Sequence, residues 1–163
     1  MTIRRSVPSD REAIYRAIVE TDLFRHSEID VALEVLDDAL AKGAEGHYQS
    51  YTAELAGEPV GWVCFGPTLG TVGTFDIYWI IVAPHLQARG VGKKLMRHAE
   101  GLIVRLGGRM IVVETSGLAA YKPTRRFYLK MDYHEEARLL DFYAPGDDKV
   151  VHIKRPAARA KPS

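Results

Sequence analysis

The chain has 163 residues, 47% of them hydrophobic, with 22 Lys and Arg against 21 Asp and Glu. A formal net charge of +1 offers no electrostatic case for a nucleic-acid or membrane partner. One cysteine (Cys64) excludes an intrachain disulfide, the start Met-Thr-Ile-Arg-Arg carries no signal-type apolar stretch, and no apolar run is long enough to cross a bilayer. The expectation is a single domain over residues 1–155, a flexible tail at 156–163, and a reduced, cytoplasmic setting.

Thr2 to Ser6 reads as a short edge strand. Ser9-Asp10-Arg11-Glu12 is a capping-type start to a helix running to about Val19. A second helix is predicted from Ser27 to Ala41, begun by Ser27 and stopped near Gly43. His47 to Leu55 alternates as a strand, turns at Ala56 to Pro59, and returns as Val60 to Gly66. After a glycine-bearing loop comes an apolar strand, Thr74 to Val82. The spacing then predicts a helix over Val91 to Leu106, with Val91, Leu95, Ala99, Leu102 and Leu106 on its buried face and Gly107-Gly108 as its stop. Arg109 to Glu114 reads as a buried strand and Thr124 to Leu129 as a helical segment. Ala137 to Tyr143 and Val150 to Ile153 form a closing hairpin.

The junction before the long helix carries chemistry. Gln87-Ala88-Arg89-Gly90-Val91-Gly92 fits Q-x-x-G-x-G, and Lys93 follows. A helix N-terminus presents unpaired N–H groups and a partial positive charge, and glycine lets a phosphate approach the backbone. The residues therefore argue for a diphosphate at a strand-to-helix turn. A Rossmann fingerprint fails because Leu95 stands where its third glycine belongs. A P-loop fails because Lys94 follows Gly92-Lys93 and Gln87 occupies the first glycine position.

Q-x-x-G-x-G after Val82-Ala83-Pro84, with Thr124-Arg-Arg-Phe127-Tyr128-Leu-Lys-Met-Asp-Tyr133 downstream, resembles the GNAT acyltransferases over roughly residues 2 to 155. The resemblance implies a mixed α/β (α+β) GNAT fold. Its central, mostly antiparallel twisted sheet has about six or seven strands, flanked by about four helices, with a splayed strand pair at the coenzyme site. It implies acetyl-coenzyme A as cosubstrate, held by the segment from Gln87 through Ala88, Arg89, Gly90, Val91 and Gly92 to Lys93. In this reading the backbone near Ile80 faces the thioester carbonyl, Val82 binds the pantetheine arm with Ile81 between them, and Phe127 joins the coenzyme-contacting set. Tyr128 takes the family's general-acid position. Asp76 takes the position of an acidic base found in some members, against a competing reading as a strand-start carboxylate bonded to a neighbouring loop.

By the period of two, Asp76, Tyr78, Ile80 and Val82 are expected to share one face of their strand, with Asp76 about 13 Å from Ile80. Tyr121 stands where many members carry a coenzyme-contacting asparagine, and it could line the acyl site instead. Asp132 replaces a commoner glycine, and aspartate tolerates the left-handed conformation needed there. The acceptor, a small-molecule amine or a peptide N-terminus, is expected between residues 21–26 and the final hairpin. Phe24, Tyr78 and Trp79 offer an apolar wall there, with Trp79 reading equally well as core. Tyr143 and Phe142 lie among Asp141, Asp147 and Asp148, which form either an acidic rim or a plain polar turn.

No histidine or cysteine spacing predicts a metal site. Cys64 is expected to be a small buried side chain. Lys154, Arg155, Arg159 and Lys161 read as a solvated basic terminus rather than an RNA contact. Family members are often dimers, and nothing in these residues decides it here. A non-catalytic acyl-coenzyme A-binding module is the rival to an enzyme.

Overall fold

Residues 1–157 are described by a computed structural model. In chain order the elements are β1 (Thr2–Arg5), α1 (Arg11–Glu20), α2 (His26–Lys42), β2 (Gln49–Leu55), β3 (Glu58–Pro67), β4 (Thr74–Val82), α3 (Val91–Arg105), β5 (Met110–Ser116), α4 (Lys122–Lys130), β6 (His134–Ala144) and β7 (Asp147–Lys154). The strands follow the order β1-β2-β3-β4-β5-β7-β6, and the pairs β1/β2, β2/β3, β5/β7 and β6/β7 are antiparallel. This is the mixed, mostly antiparallel sheet with four α-helices that the sequence leads one to expect. The expected tail falls largely on residues 158–163, outside the described residues, as do Arg159 and Lys161.

The chain divides into two units, 1–66 with 77–99 and 67–76 with 100 onward. In the first, a buried polar knot ties β1 to the start of α1. Asp10 is 1% exposed and accepts two bonds from the Arg4 guanidinium, at 2.8 and 2.9 Å, with further bonds from Thr52 and the Val7 N–H. Burial alone would raise the Asp10 carboxyl, but Arg4, Val7 and Thr52 outweigh it and hold it below the usual carboxylate range. α2 begins a residue earlier than expected. Its cap is Arg25, whose N–H donates to Glu28 at 2.7 Å, so Ser27 lies inside the helix. Ile14, Ile18, Ala32 and Leu36 of α1 and α2 pack with Trp62, Cys64 and Ile81 of the sheet. Cys64 is fully buried, and burial pushes its thiol up.

In α3, the buried face is Val91, Leu95, Met96, Ala99 and Ile103. Leu106, expected on that face, is 62% exposed. The helix has ended by then: Gly107 takes φ 83° and the Gly108 N–H returns to Ile103 O at 2.8 Å.

In the second unit, β7 pairs with both β5 and β6. α4 ends where Asp132 adopts φ 65°, as its tolerance of left-handed backbone predicts, and the Tyr133 N–H closes on Tyr128 O at 3.1 Å. Lys154 is no part of a loose basic terminus. It lies on β7 and bonds both Glu100 oxygens at 3.1 Å and Met131 O at 2.9 Å.

Candidate functional site

β4 leaves its apolar run at Val82 and enters a short turn, and the chain then folds into the loop before α3. Ala83 N–H donates to Val60 O and Leu86 N–H to Ala83 O, which fixes the turn to β3. Leu86 and Val91 are buried and anchor the loop at both ends, whereas Gln87, Ala88, Arg89 and Gly90 are exposed. Ala88 (φ 64°) and Gly90 (φ 82°) are both left-handed, with Arg89 between them. Alternation of this kind turns successive N–H groups toward a common point, the geometry of an anion-binding concavity. The first α3 bond runs from Lys94 N–H to Gly90 O at 3.1 Å, and the N–H groups ahead of it have no intrahelical acceptor. Gly92 and exposed Lys93 fall in this first turn, where the helix dipole favours an anion. Gln87 Nε2 reaches back toward Val82 O at 3.5 Å.

The seat under this helix depends on Gly61 of β3, which sequence reasoning missed. A Cβ there would stand 2.9 Å from Leu95 Cδ1, 3.1 Å from Ile81 O and 3.2 Å from Val91 Cγ1. The absent side chain is what lets the first turn of α3 lie against the sheet.

The middle of β4 departs from the expected alternation. Thr68 N–H donates to Thr74 O, and Ala83 N–H to Val60 O. Between these two pairs β3 advances from 60 to 68 and β4 from 74 to 83, so β4 holds one residue more. That is a β-bulge. Contacts place it at Tyr78-Trp79. Trp79 stacks on Trp62 at 6.5 Å, while Tyr78 lies against Gly66, and Trp62 and Gly66 share one face of β3. Two consecutive residues of β4 therefore reach the same side. The expectation that Asp76, Tyr78, Ile80 and Val82 share a face is corrected: the extra residue puts Asp76 and Tyr78 out of step with Ile80 and Val82 along the strand. Ile81 is buried in the core cluster, so only its backbone is open to a ligand.

Around the bulge stands an aromatic wall. Phe24 meets Trp79 edge-on at 5.3 Å, Tyr48 meets Tyr78 edge-on at 5.2 Å, and His47 Nε2 lies 3.0 Å from the Tyr78 hydroxyl. The expected pair Phe24 and Tyr78 is thus placed on one face with Trp79. His47 and Tyr48 join them unannounced by any motif.

The second unit holds the remaining candidates. Asp76 Oδ2 accepts the Thr68 hydroxyl at 2.6 Å, the loop-bonded arrangement that competed with a catalytic base. Tyr128 is 4% exposed, and burial pushes its phenol well above the ordinary range. Its ring lies 5.5 Å from Phe127, 6.0 Å from Tyr133 and 5.6 Å from His152. His152 was not singled out from the sequence. It is 1% exposed, its Nδ1 has no partner among the described residues, and burial pulls its imidazole down. Tyr121 is the residue before α4, and Tyr143 is half-buried beside Phe142.

The acidic rim resolves into hairpin structure. Asp147 is buried and bonded by the Ser116 hydroxyl, Asp148 accepts the Asp141 N–H, and Asp141 accepts the Gly146 N–H. Among the described residues no group of histidine, cysteine and carboxylate side chains could hold a metal ion. No described helix is long and apolar enough to cross a membrane.

Comparison with known proteins agrees with this geometry. The model of the Acetyltransferase (GNAT) family matches residues 11–133. A crystal structure of a GNAT-family protein from Desulfovibrio desulfuricans superposes with a TM-score of 0.89 at 40% identity, covering 94% of this chain and 98% of that one. An aminoglycoside 6'-N-acetyltransferase complexed with coenzyme A shares the fold, with a TM-score of 0.75 at 15% identity and full coverage of both chains, 100% and 100%. A curated relative, Probable N-acetyltransferase Rv2775 of Mycobacterium tuberculosis, is 28% identical over 119 residues. That match takes in 72% of this chain and spans only 64% of the relative's length. The strand, the turn, the glycine loop and the helix it opens thus fall inside a matched family model, and the chain belongs to the acetyltransferase (GNAT) family.

Proposed function

We propose that this chain is an acetyl-coenzyme A-dependent N-acetyltransferase, moving the acetyl group to a primary amine of a small molecule or peptide N-terminus by direct attack on the thioester. The observation that carries this reading is the exposed loop with left-handed Ala88 and Gly90 opening α3. Its converging N–H groups and the positive end of a 15-residue helix suit a pyrophosphate. The coenzyme seen with the aminoglycoside enzyme is the natural occupant to test here.

In this reading Gln87 to Lys93 hold the pyrophosphate. The β4 backbone at Ile80 to Val82, just past the bulge, lines the pantetheine arm and thioester, and Phe127 flanks the coenzyme. A bulge re-aims backbone groups at its site, which is what an N–H directed at a thioester oxygen requires. When bound, the coenzyme supplies an activated acyl carbon and a thiolate leaving group. Tyr128 donates a proton to that thiolate. Burial keeps the Tyr128 phenol in its protonated form, the state from which a general acid starts. Tyr121 and Tyr143 belong to the acceptor side. The Thr68 bond favours the loop-bonded reading of Asp76, as the anchor of the 67–73 loop, over the reading as a base.

The test is thiol release from acetyl-coenzyme A across a panel of primary amines. Release with at least one amine, lowered about tenfold or more by Tyr128→Phe at unchanged coenzyme affinity, is the expected outcome. Tight coenzyme binding with no release on any amine would instead support the non-catalytic binding module.

A further inference from the structure

The half-buried pair at the β4 bulge has no part in holding the coenzyme, yet it is built with care. His47 Nε2 and the Tyr78 hydroxyl lie 3.0 Å apart. Gly66 leaves the room they occupy. A Cβ there would stand 2.6 Å from His47 O, 3.2 Å from His47 Nε2 and 3.2 Å from Tyr78 Cε2. Tyr48 packs edge-on against both, at 4.9 Å from His47 and 5.2 Å from Tyr78. Neither His47 nor Tyr78 is sealed from solvent.

We infer that Tyr78 and His47 form a proton relay for the acceptor amine, whose carbon body lies on the aromatic wall of Phe24, Tyr48 and Trp79. The inference rests on the acetyltransferase reading above. The bulge supplies the placement. It turns Tyr78 onto the face that also carries Phe24 and Trp79, one residue pair ahead of the β4 segment assigned to the thioester. Aromatic faces favour a cation lying against them, so an ammonium group can rest here before it is deprotonated.

The ammonium gives one proton to the Tyr78 oxygen while the Tyr78 hydroxyl proton passes to His47 Nε2, which must be the unprotonated nitrogen of a neutral ring. His47 releases that proton to solvent. The neutral amine attacks the thioester carbon, the N–C bond forms and the C–S bond breaks. The second nitrogen proton leaves by the same route. The thiolate takes a proton from Tyr128, which recovers one from solvent, so one proton is released per turnover. Tyr78 from β4 and Tyr48 next to it in the chain lie against His47, the preceding turn carries Glu45, and β3 brings Gly66 close to it.

The experiment uses phenethylamine, an ammonium on an aromatic body, as acceptor. Thiol release is followed from about pH 6 to about pH 10 for the wild-type protein, Tyr78→Phe and His47→Gln, with acetyl-coenzyme A affinity measured on each by calorimetry. Tyr78→Phe keeps the ring that packs on Tyr48, so its fold is preserved. The expected result is a loss in kcat/KM of about tenfold or more for both variants at neutral pH. The loss shrinks as the pH nears the amine's own ionisation, and coenzyme affinity stays within about twofold. A loss of the same size at every pH, no loss, or no transfer to phenethylamine by the wild type overturns the relay. Failure of the wild type to bind acetyl-coenzyme A overturns the acetyltransferase reading itself, a separate result.

Discussion

The exit of β4 and its middle lie a few residues apart and are built on opposite principles. The exit works through backbone: exposed loop residues, two left-handed conformations and the open first turn of a 15-residue helix. The middle works through side chains: a bulge that turns Tyr78 and Trp79 to one side, and an aromatic wall with one hydrogen-bonded polar pair. Backbone recognition tolerates side-chain variety and suits a ligand common to a whole family. Side-chain recognition does not, and it suits the ligand that differs between members. In the proposed reading, the contrast puts the coenzyme at the exit and the acceptor at the middle.

Substitutions can separate the two. Gly61→Val forces α3 away from its seat, because a Cβ already stands 2.9 Å from Leu95. It should lower acetyl-coenzyme A affinity by about tenfold and cost about 1–3 kcal/mol of stability in chemical denaturation. If affinity holds while stability falls, the exit does not need α3 in this position. Trp79→Leu removes the ring that stacks on Trp62 and meets Phe24 edge-on. It should raise KM for an aromatic amine by about threefold to fivefold and leave coenzyme affinity unchanged. An effect on the coenzyme alone would reverse the assignment of the two regions. Asp76→Asn should change kcat by less than about twofold, since the Thr68 hydroxyl can still donate to an amide oxygen. A pH-dependent loss of about a hundredfold would restore Asp76 as the base.

The exit was legible in the sequence because glycines and an apolar run mark backbone events directly. Thr74 to Val82 is the strand observed, and Gln87 to Gly90 is the loop that runs into α3 at Val91. The α3 face was misread at its end. Periodicity continues through Leu106, but the turn at Gly107 unwinds the last residue and Ile103 takes the buried place. The middle was harder to read. Strict alternation put Asp76, Tyr78, Ile80 and Val82 together, and the bulge separates them. A signal was present: Tyr78-Trp79-Ile80-Ile81 is a run with no polar partner in it, which a regular half-buried strand seldom carries. His47 could not be found by spacing, because only the fold brings it to Tyr78 from 31 residues away. The acidic hairpin left two readings open, a rim or a plain turn, and the observed bonds favour the turn. Its carboxylates look available in sequence, but backbone N–H groups and Ser116 already hold them.

The central claim is that the α3 loop binds the coenzyme through its backbone. The most direct measurement is calorimetric titration of acetyl-coenzyme A into the wild-type protein and into Gly90→Glu, whose side chain would bring a carboxylate to a position at φ 82° in open space. The account predicts saturable one-site binding by the wild type and a loss of about a hundredfold or more in the variant, with NAD inert toward both. Equal affinity in the two proteins, or no binding to either, would contradict it.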